Sequence, residues 1–193
     1  MVLGSNLSPL AVLVLELMIE GDLHPYEMRQ KLLGRRRDLR VRITPGSLYR
    51  TVERLAEDGL IEVVETSRAG KRPERTVYTI TEAGTDAYLE RVKDMVAIPV
   101  GEYPQYATVL ACVHSLSKQD ALVALERRRM TLEAEAAGYD TVLERLGKTG
   151  LKPVHWIDVD YAQTMRRAEL AWTVGLIEDI TWDRIDWPEG DIR

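Results

Sequence analysis

The segment Thr44-Pro-Gly-Ser-Leu-Tyr-Arg-Thr-Val-Glu-Arg-Leu-Ala-Glu-Asp-Gly-Leu60 gathers the side chains best suited to reading a nucleic acid. Leu48, Val52, Leu55 and Ala56 recur at the spacing of one face of an α-helix, and Gly59 supplies a stop. At about 100° per residue, the opposite face carries Gly46, Ser47, Arg50, Glu53, Arg54 and Glu57, with Tyr49 on the flank and Thr44 at the start. Arginine can grip guanine O6 and N7 with both prongs, and Ser or Tyr can reach phosphates. Taken alone, the segment reads equally well as a surface helix with solvated charges.

The chain on its C-terminal side favours the first reading. Residues 60–66 and 74–80 are rich in β-branched side chains, and the Gly/Pro-containing stretch between them reads as the turn of a hairpin. Arg68, Lys71, Arg72 and Arg75 lie on or beside that turn, where flexible cations can neutralise phosphates and release counterions. Two helices, a recognition helix and a basic two-stranded wing together make a winged helix-turn-helix.

Charge is distributed to match. The chain of 193 residues carries a net charge of −5, which by itself opposes a nucleic-acid partner. From Arg29 to Arg75, however, 13 Lys and Arg stand against 7 Asp and Glu, whereas from Met95 to Arg193 the counts are 11 and 16. The cations therefore sit with the recognition helix and wing.

The elements that must position this face are punctuated clearly. Ser8 and Pro9 open a helix over residues 8–20 that is apolar nearly all round and is closed by Gly21. Its apolar run is too short for a membrane span, and Glu16 interrupts it. A second helix starts at His24-Pro25 and runs to Leu33; the adjoining Arg35-Arg36-Arg37 reads as a solvated helix end. Residues 81–95 give a fourth helix, and Pro99, Gly101 and Pro104 mark a linker. Beyond it, a helix over residues 105–115 is expected to bury Tyr106, Val109, Leu110 and Val113.

A helix from Ser117 to about Leu146 then carries Leu122, Leu125, Arg129, Leu132, Ala136, Tyr139, Leu143 and Leu146 at alternating intervals of 3 and 4. Thirty residues of helix extend about 45 Å, more than a small domain needs for itself. A second subunit is the expected occupant of this seam, because a winged helix that reads a palindrome needs a two-fold partner. A last helix covers residues 158–181.

Several motifs carry a family resemblance. His24-Pro-Tyr-Glu27, Thr44-Pro-Gly-Ser-Leu-Tyr49, Leu55 with Glu57-Asp-Gly-Leu-Ile61, and Arg75-Thr-Val-Tyr-Thr-Ile-Thr-Glu-Ala-Gly84 resemble the PadR family of transcriptional regulators. Tyr161 to Trp182 is similar to the end of the larger PadR subgroup. The resemblance implies a homodimer on a pseudo-palindromic operator, usually a repressor released by a small molecule or stress signal. It also implies DNA contact at Tyr26, Ser47 and Tyr49 and, in the wing, at Lys71 and Arg72. Arg50 departs from the pattern, since many members place Pro after the motif tyrosine.

The sequence-level expectation is therefore a mainly α chain with a small β-wing. Residues 1–96 form the winged helix-turn-helix DNA-binding domain, and residues 97–193 form a long-helix dimerisation and effector domain. Tyr26, Thr44, Gly46, Ser47, Tyr49, Arg50, Arg54, Arg68, Lys71 and Arg72 are expected at DNA; Leu122, Leu125, Leu132, Tyr139, Leu143 and Trp172 at the dimer seam. The function expected is that of a homodimeric repressor on double-stranded DNA; the alternative is a winged-helix adaptor or co-activator without its own operator. All four Trp fall in the last 38 residues, and Tyr103, Tyr106 and Trp172 are the candidates for a small aromatic effector.

No cofactor, metal or enzymatic site is expected. His24, His114 and His155 are far apart, no phosphate loop or nucleophile elbow stands out, and Asp158 and Asp160 read as helix-start charges. Cys112 and His114 offer too few ligands for a soft metal. A single cysteine cannot form an internal disulfide and points to a reducing cytoplasm.

Overall fold

A computed structural model describes residues 7–67 and 75–188, with the side chains of Ser67 and Arg75 excepted. The chain divides into two compact units, Met1–Gly101 and Glu102–Arg193. The first holds α1 (Pro9–Ile19), α2 (Pro25–Gly34), α3 (Pro45–Glu57), β1 (Ile61–Ser67), β2 (Arg75–Ile80) and α4 (Glu82–Ala97). The second holds α5 (Gln105–Leu110), α6 (Lys118–Gly147) and α7 (Ile157–Thr181). Among the described residues no helix is long and apolar enough to cross a membrane.

In the first unit α1 forms the centre. Ser8 caps it by accepting the Ala11 N–H at 3.2 Å, and Val14, Leu15, Leu17 and Met18 are buried on successive faces. Met28 and Leu32 from α2 and Leu48, Val52 and Leu55 from α3 close onto the same core. Fully burying one such side chain stabilises by about 1.5–3 kcal/mol, whereas an exposed ion pair contributes about 0–1 kcal/mol. Apolar burial therefore decides the rotation of α3.

The His24-Pro-Tyr-Glu27 motif is a capping box. His24 Nδ1 accepts the Tyr26 N–H at 3.0 Å, and the Glu27 carboxylate accepts the His24 N–H at 3.1 Å. At the other end of α2 the arginine run is not a solvated tail. Arg35 grips the Glu20 carboxylate of α1 with two hydrogen bonds of 2.6 Å, and Arg37 reaches Glu16 at 3.3 Å. Those bonds from Arg35 hold the Glu20 carboxyl below its ordinary value, against the opposing effect of partial burial.

The wing is a two-stranded antiparallel sheet in which Ile61 pairs with Ile80 and Val63 with Tyr78. A bulge lies between Val63 and Glu65, which locally increases the strand's twist. Leu23 exchanges two backbone hydrogen bonds of 3.1 Å with Tyr78, so the segment before α2 is stitched to the base of the wing. Behind it, Thr81 caps α4 by accepting the Gly84 N–H at 3.0 Å and donates to the Gly59 carbonyl at 2.9 Å. A Cβ at Gly84 would stand 2.0 Å from the Leu60 carbonyl oxygen. The Thr-Glu-Ala-Gly84 motif thus allows the start of α4 to lie against the chain leaving α3.

In the second unit α6 and α7 run antiparallel, as their cross-links show. Lys118 pairs with Asp183, Arg128 with Glu169, Glu135 with Arg166 at 2.8 Å, and Asp140 with Arg167 at 2.7 Å. Leu125, Ile177 and Ile180 form the core, with Leu122, Leu176 and Trp187 packed on it. The expected α6 stripe faces α7 of the same chain. Leu125 and Leu132 are buried within the single chain, and Leu122, Tyr139 and Leu143 lie half-buried on the same stripe. Arg129, the polar intrusion, turns to Glu126 and Glu133 of its own helix. The α5 stripe is only partly covered: Val109 is 52% exposed and Tyr106 and Leu110 are half-buried. A helix of six residues has too little surface to bury a full stripe.

Two glycines give opposite expectations. Gly84→Ala should lower stability in urea unfolding by about 2 kcal/mol or more, because backbone must move. Gly138→Ala, mid-helix with open space around it, should raise it by about 0.5–1 kcal/mol.

The Glu20 pair predicts a pH dependence. Its stabilisation is present above the unfolded carboxylate pKa and lost as pH falls through the depressed folded value. Thermal unfolding of Glu20→Gln should therefore show a shallower loss of stability in acid than the wild type.

Candidate nucleic-acid interface

Thr44 and Ser47 build the start of α3 reciprocally. Thr44 Oγ1 accepts the Ser47 N–H at 3.1 Å, and Ser47 Oγ accepts the Thr44 N–H at 3.0 Å. The Ser47 hydroxyl also donates to the Thr44 carbonyl at 3.0 Å. In this structure the Ser47 hydroxyl is turned into the cap of its own helix. A Ser at the third helical position replaces the usual Glu or Gln of a capping box, which is why the spacing did not announce it.

With Leu48, Val52 and Leu55 turned inward, Gly46, Tyr49, Arg50, Glu53, Arg54 and Glu57 face solvent. Arg50 donates its Nε–H to the Gly46 carbonyl at 3.1 Å. That bond lays the side chain along the helix toward its N-terminus. Arg54 reaches Asp58 at 3.8 Å in an exposed pair, a contact worth little and easily given up. Tyr49 is 43% exposed, and Tyr26, presented by the capped start of α2, is 58% exposed.

Two hollows flank Arg50. One, of about 320 Å³, is lined by Arg42, Thr44, Ser47 and Arg50. The other has the same volume, with Leu7, Ala11 and Leu55 below and Arg50, Arg54 and Asp58 at its rim. Arg42 is exposed and was not anticipated. It lies in the irregular chain between α2 and α3, where periodicity gives no signal; only the density of arginines hints at it. The wing residues Arg68, Lys71 and Arg72 lie outside the described residues.

The second unit holds the other candidate group. Tyr106 and Trp172 meet edge to face, with centroids 6.3 Å apart at 83°. The Arg128 guanidinium stands 3.3 Å from the centre of the Tyr106 ring and is also paired with Glu169. The Tyr106 hydroxyl is buried with no hydrogen-bond partner among the described residues. Tyr103, by contrast, is 96% exposed and does not join them.

Three helices, a two-stranded antiparallel sheet and a fourth helix, with cations on the outward face of α3, give the first unit the arrangement of a winged helix. Residues 14–90 match the transcriptional regulator PadR-like family. Solved structures share the fold. Bacillus subtilis PadR in complex with operator DNA is 18% identical, with a TM-score of 0.74 over 90% of this chain and 99% of that one. Bacillus subtilis PadR in complex with p-coumaric acid is 16% identical, with a TM-score of 0.72 over 89% and 98%. A PadR-like transcriptional regulator from Bacillus cereus is 16% identical, with a TM-score of 0.61 over 90% and 99%. No curated protein sequence matches the chain.

The cap on α3 is testable apart from DNA. Thr44→Ala should cost about 1 kcal/mol in denaturant unfolding, and Thr44→Asp should restore most of it.

Proposed function

We propose that this chain is a PadR-family regulator, a cytoplasmic homodimeric repressor that binds a pseudo-palindromic operator and is released by a small aromatic effector. The observation that supports DNA reading most directly is the outward face of α3, where Arg50 and the neighbouring Arg42 stand beside exposed Tyr49 with no carboxylate partner among the described residues. In this reading Arg50 and Tyr49 meet the major groove, Tyr26 and Thr44 lie at the backbone, and Arg68, Lys71 and Arg72 bring the wing to flanking phosphates. A two-fold pair of such units matches the symmetry of a palindrome.

The effector is proposed for the second unit. Tyr106, Trp172 and Arg128 offer ring faces, a cation and an unpartnered hydroxyl within one cluster. A planar, weakly acidic aromatic would engage each of these. The solved complex of Bacillus subtilis PadR with p-coumaric acid supports that ligand class by analogy of fold.

Binding to DNA of the chain's own promoter, titrated at several salt concentrations, tests the repressor reading. Log affinity should fall linearly with log salt. Arg50→Ala should weaken the preferred site by about 1–3 kcal/mol and relax base preference, whereas Lys71→Ala should weaken all sequences alike and make the salt slope shallower by about one. Affinity unchanged by either substitution would contradict the proposal.

A further inference from the structure

Between the two arginines on the outward face of α3 lies a carboxylate that the fold does not use. Arg50 precedes Glu53 by about one turn, and Arg54 follows it directly. Both cations are aimed away from it, in opposite directions along the helix. Arg50 donates its Nε–H to the Gly46 carbonyl at 3.1 Å, and Arg54 turns to Asp58 at 3.8 Å. Glu53 is exposed and has no hydrogen-bond or ion-pair partner among the described residues.

We propose that Glu53 is a specificity-determining residue, accepting a hydrogen bond from the N4 amino group of a cytosine one or two base pairs from the guanine read by Arg50. The inference rests on the operator reading and names the bases that the first half of α3 selects.

The chemistry of the groove picks cytosine. A carboxylate on a surface that approaches DNA repels every phosphate, so it contributes to binding only where it meets a donor. The donors in the major groove are the amino groups of cytosine N4 and adenine N6. Adenine sets its N7 acceptor beside N6, where it opposes the second carboxylate oxygen. Cytosine presents only its donor.

Position along the helix picks Glu53 over Glu57. Recognition helices meet base edges with their N-terminal residues, and Glu57 is the last residue of α3. At a rise of about 1.5 Å per residue, Glu53 lies about 4.5 Å beyond Arg50, against about 3.4 Å between successive bases of one strand. Because Arg50 leans toward the start of the helix, the gap between the two reading groups widens to one or two base pairs. The bond from Nε also leaves the two terminal Nη groups of Arg50 as its free fork, the donor pair that guanine O6 and N7 accept. At the leading end, Gly46 has open space around it among the described residues. Glycine there answers no crowding within the chain, and it presents bare backbone for close approach to the groove.

Selection from a random duplex library by the full chain, run in parallel for the wild type, Glu53→Gln and Glu53→Ala, tests the assignment. The wild type should enrich a cytosine one or two pairs from a guanine in each half-site. Glu53→Gln should change that cytosine to adenine, since an amide accepts from N6 and donates to N7, and leave the other positions as they were. With duplexes that differ at this pair alone, at one fixed salt concentration, the wild type should discriminate against the wrong base by about 5- to 150-fold and Glu53→Ala by about twofold or less. Arg50→Ala should lose the guanine and keep the cytosine. Glu53 is exposed and unpartnered, so circular dichroism of its variants should match that of the wild type.

A change of preference confined to that one pair supports the assignment. A wild type that enriches another base there, a Glu53→Gln variant that enriches the wild-type sequence with undiminished discrimination, or a loss of affinity spread evenly over all positions overturns it and leaves the operator reading standing. A wild type that enriches no common sequence removes the operator reading, and this inference with it.

Discussion

Burial of Leu48, Val52 and Leu55 against α1 and α2 fixes the rotation of α3, and the rest of the first unit depends on that constraint. Once those three side chains are inside, Tyr49, Arg50 and Arg54 have nowhere to go but solvent. The reciprocal cap between Thr44 and Ser47 fixes where the helix begins, so the outward side chains are placed along its axis as well as around it. The base of the wing is held by Leu23 on one side, and Gly84 lets α4 close behind it. The interface is a face left over by packing, then aimed by caps.

Charge in the first unit divides into two kinds of arginine. Arg35 and Arg37 are engaged by Glu20 and Glu16 of α1 and hold α2 and the chain after it in place. Among the described residues Arg42 and Arg50 join no such pair, and they border one hollow at the start of α3. Partly sheltered pairs of the first kind hold elements together, whereas exposed cations of the second kind are free to neutralise a polyanion and release the counterions condensed on it. The excess of cations over residues 29–75 thus serves both structure and binding.

Much of the architecture was legible because its punctuation is local. Ser8-Pro9, Pro25, Thr44-Pro45, Gly59 and Ser117 mark helix ends through interactions spanning three or four residues, and the hairpin is signalled by β-branched runs around a turn. Features the sequence left open depend on partners far along the chain. Heptad spacing in α6 says that a helix packs there but not whose; that α7 lies along it is carried by pairs such as Arg128 with Glu169, 41 residues apart. In the same way, Arg35 and Arg37 read as a solvated end because their carboxylates sit on α1. Ser47 could be placed on the outward face, yet only the geometry shows its hydroxyl turned back into the cap. Arg42, in irregular chain, carries no periodic signal at all.

If α3 and the wing of a two-fold pair read a specific DNA sequence, selection of bound fragments from a random duplex library by the purified chain tests that claim most directly. The predicted result is enrichment of two inverted half-sites whose centres lie about one helical turn apart, or a multiple of it. Recovery of unrelated sequences with no common element, at an affinity indifferent to sequence, would contradict it.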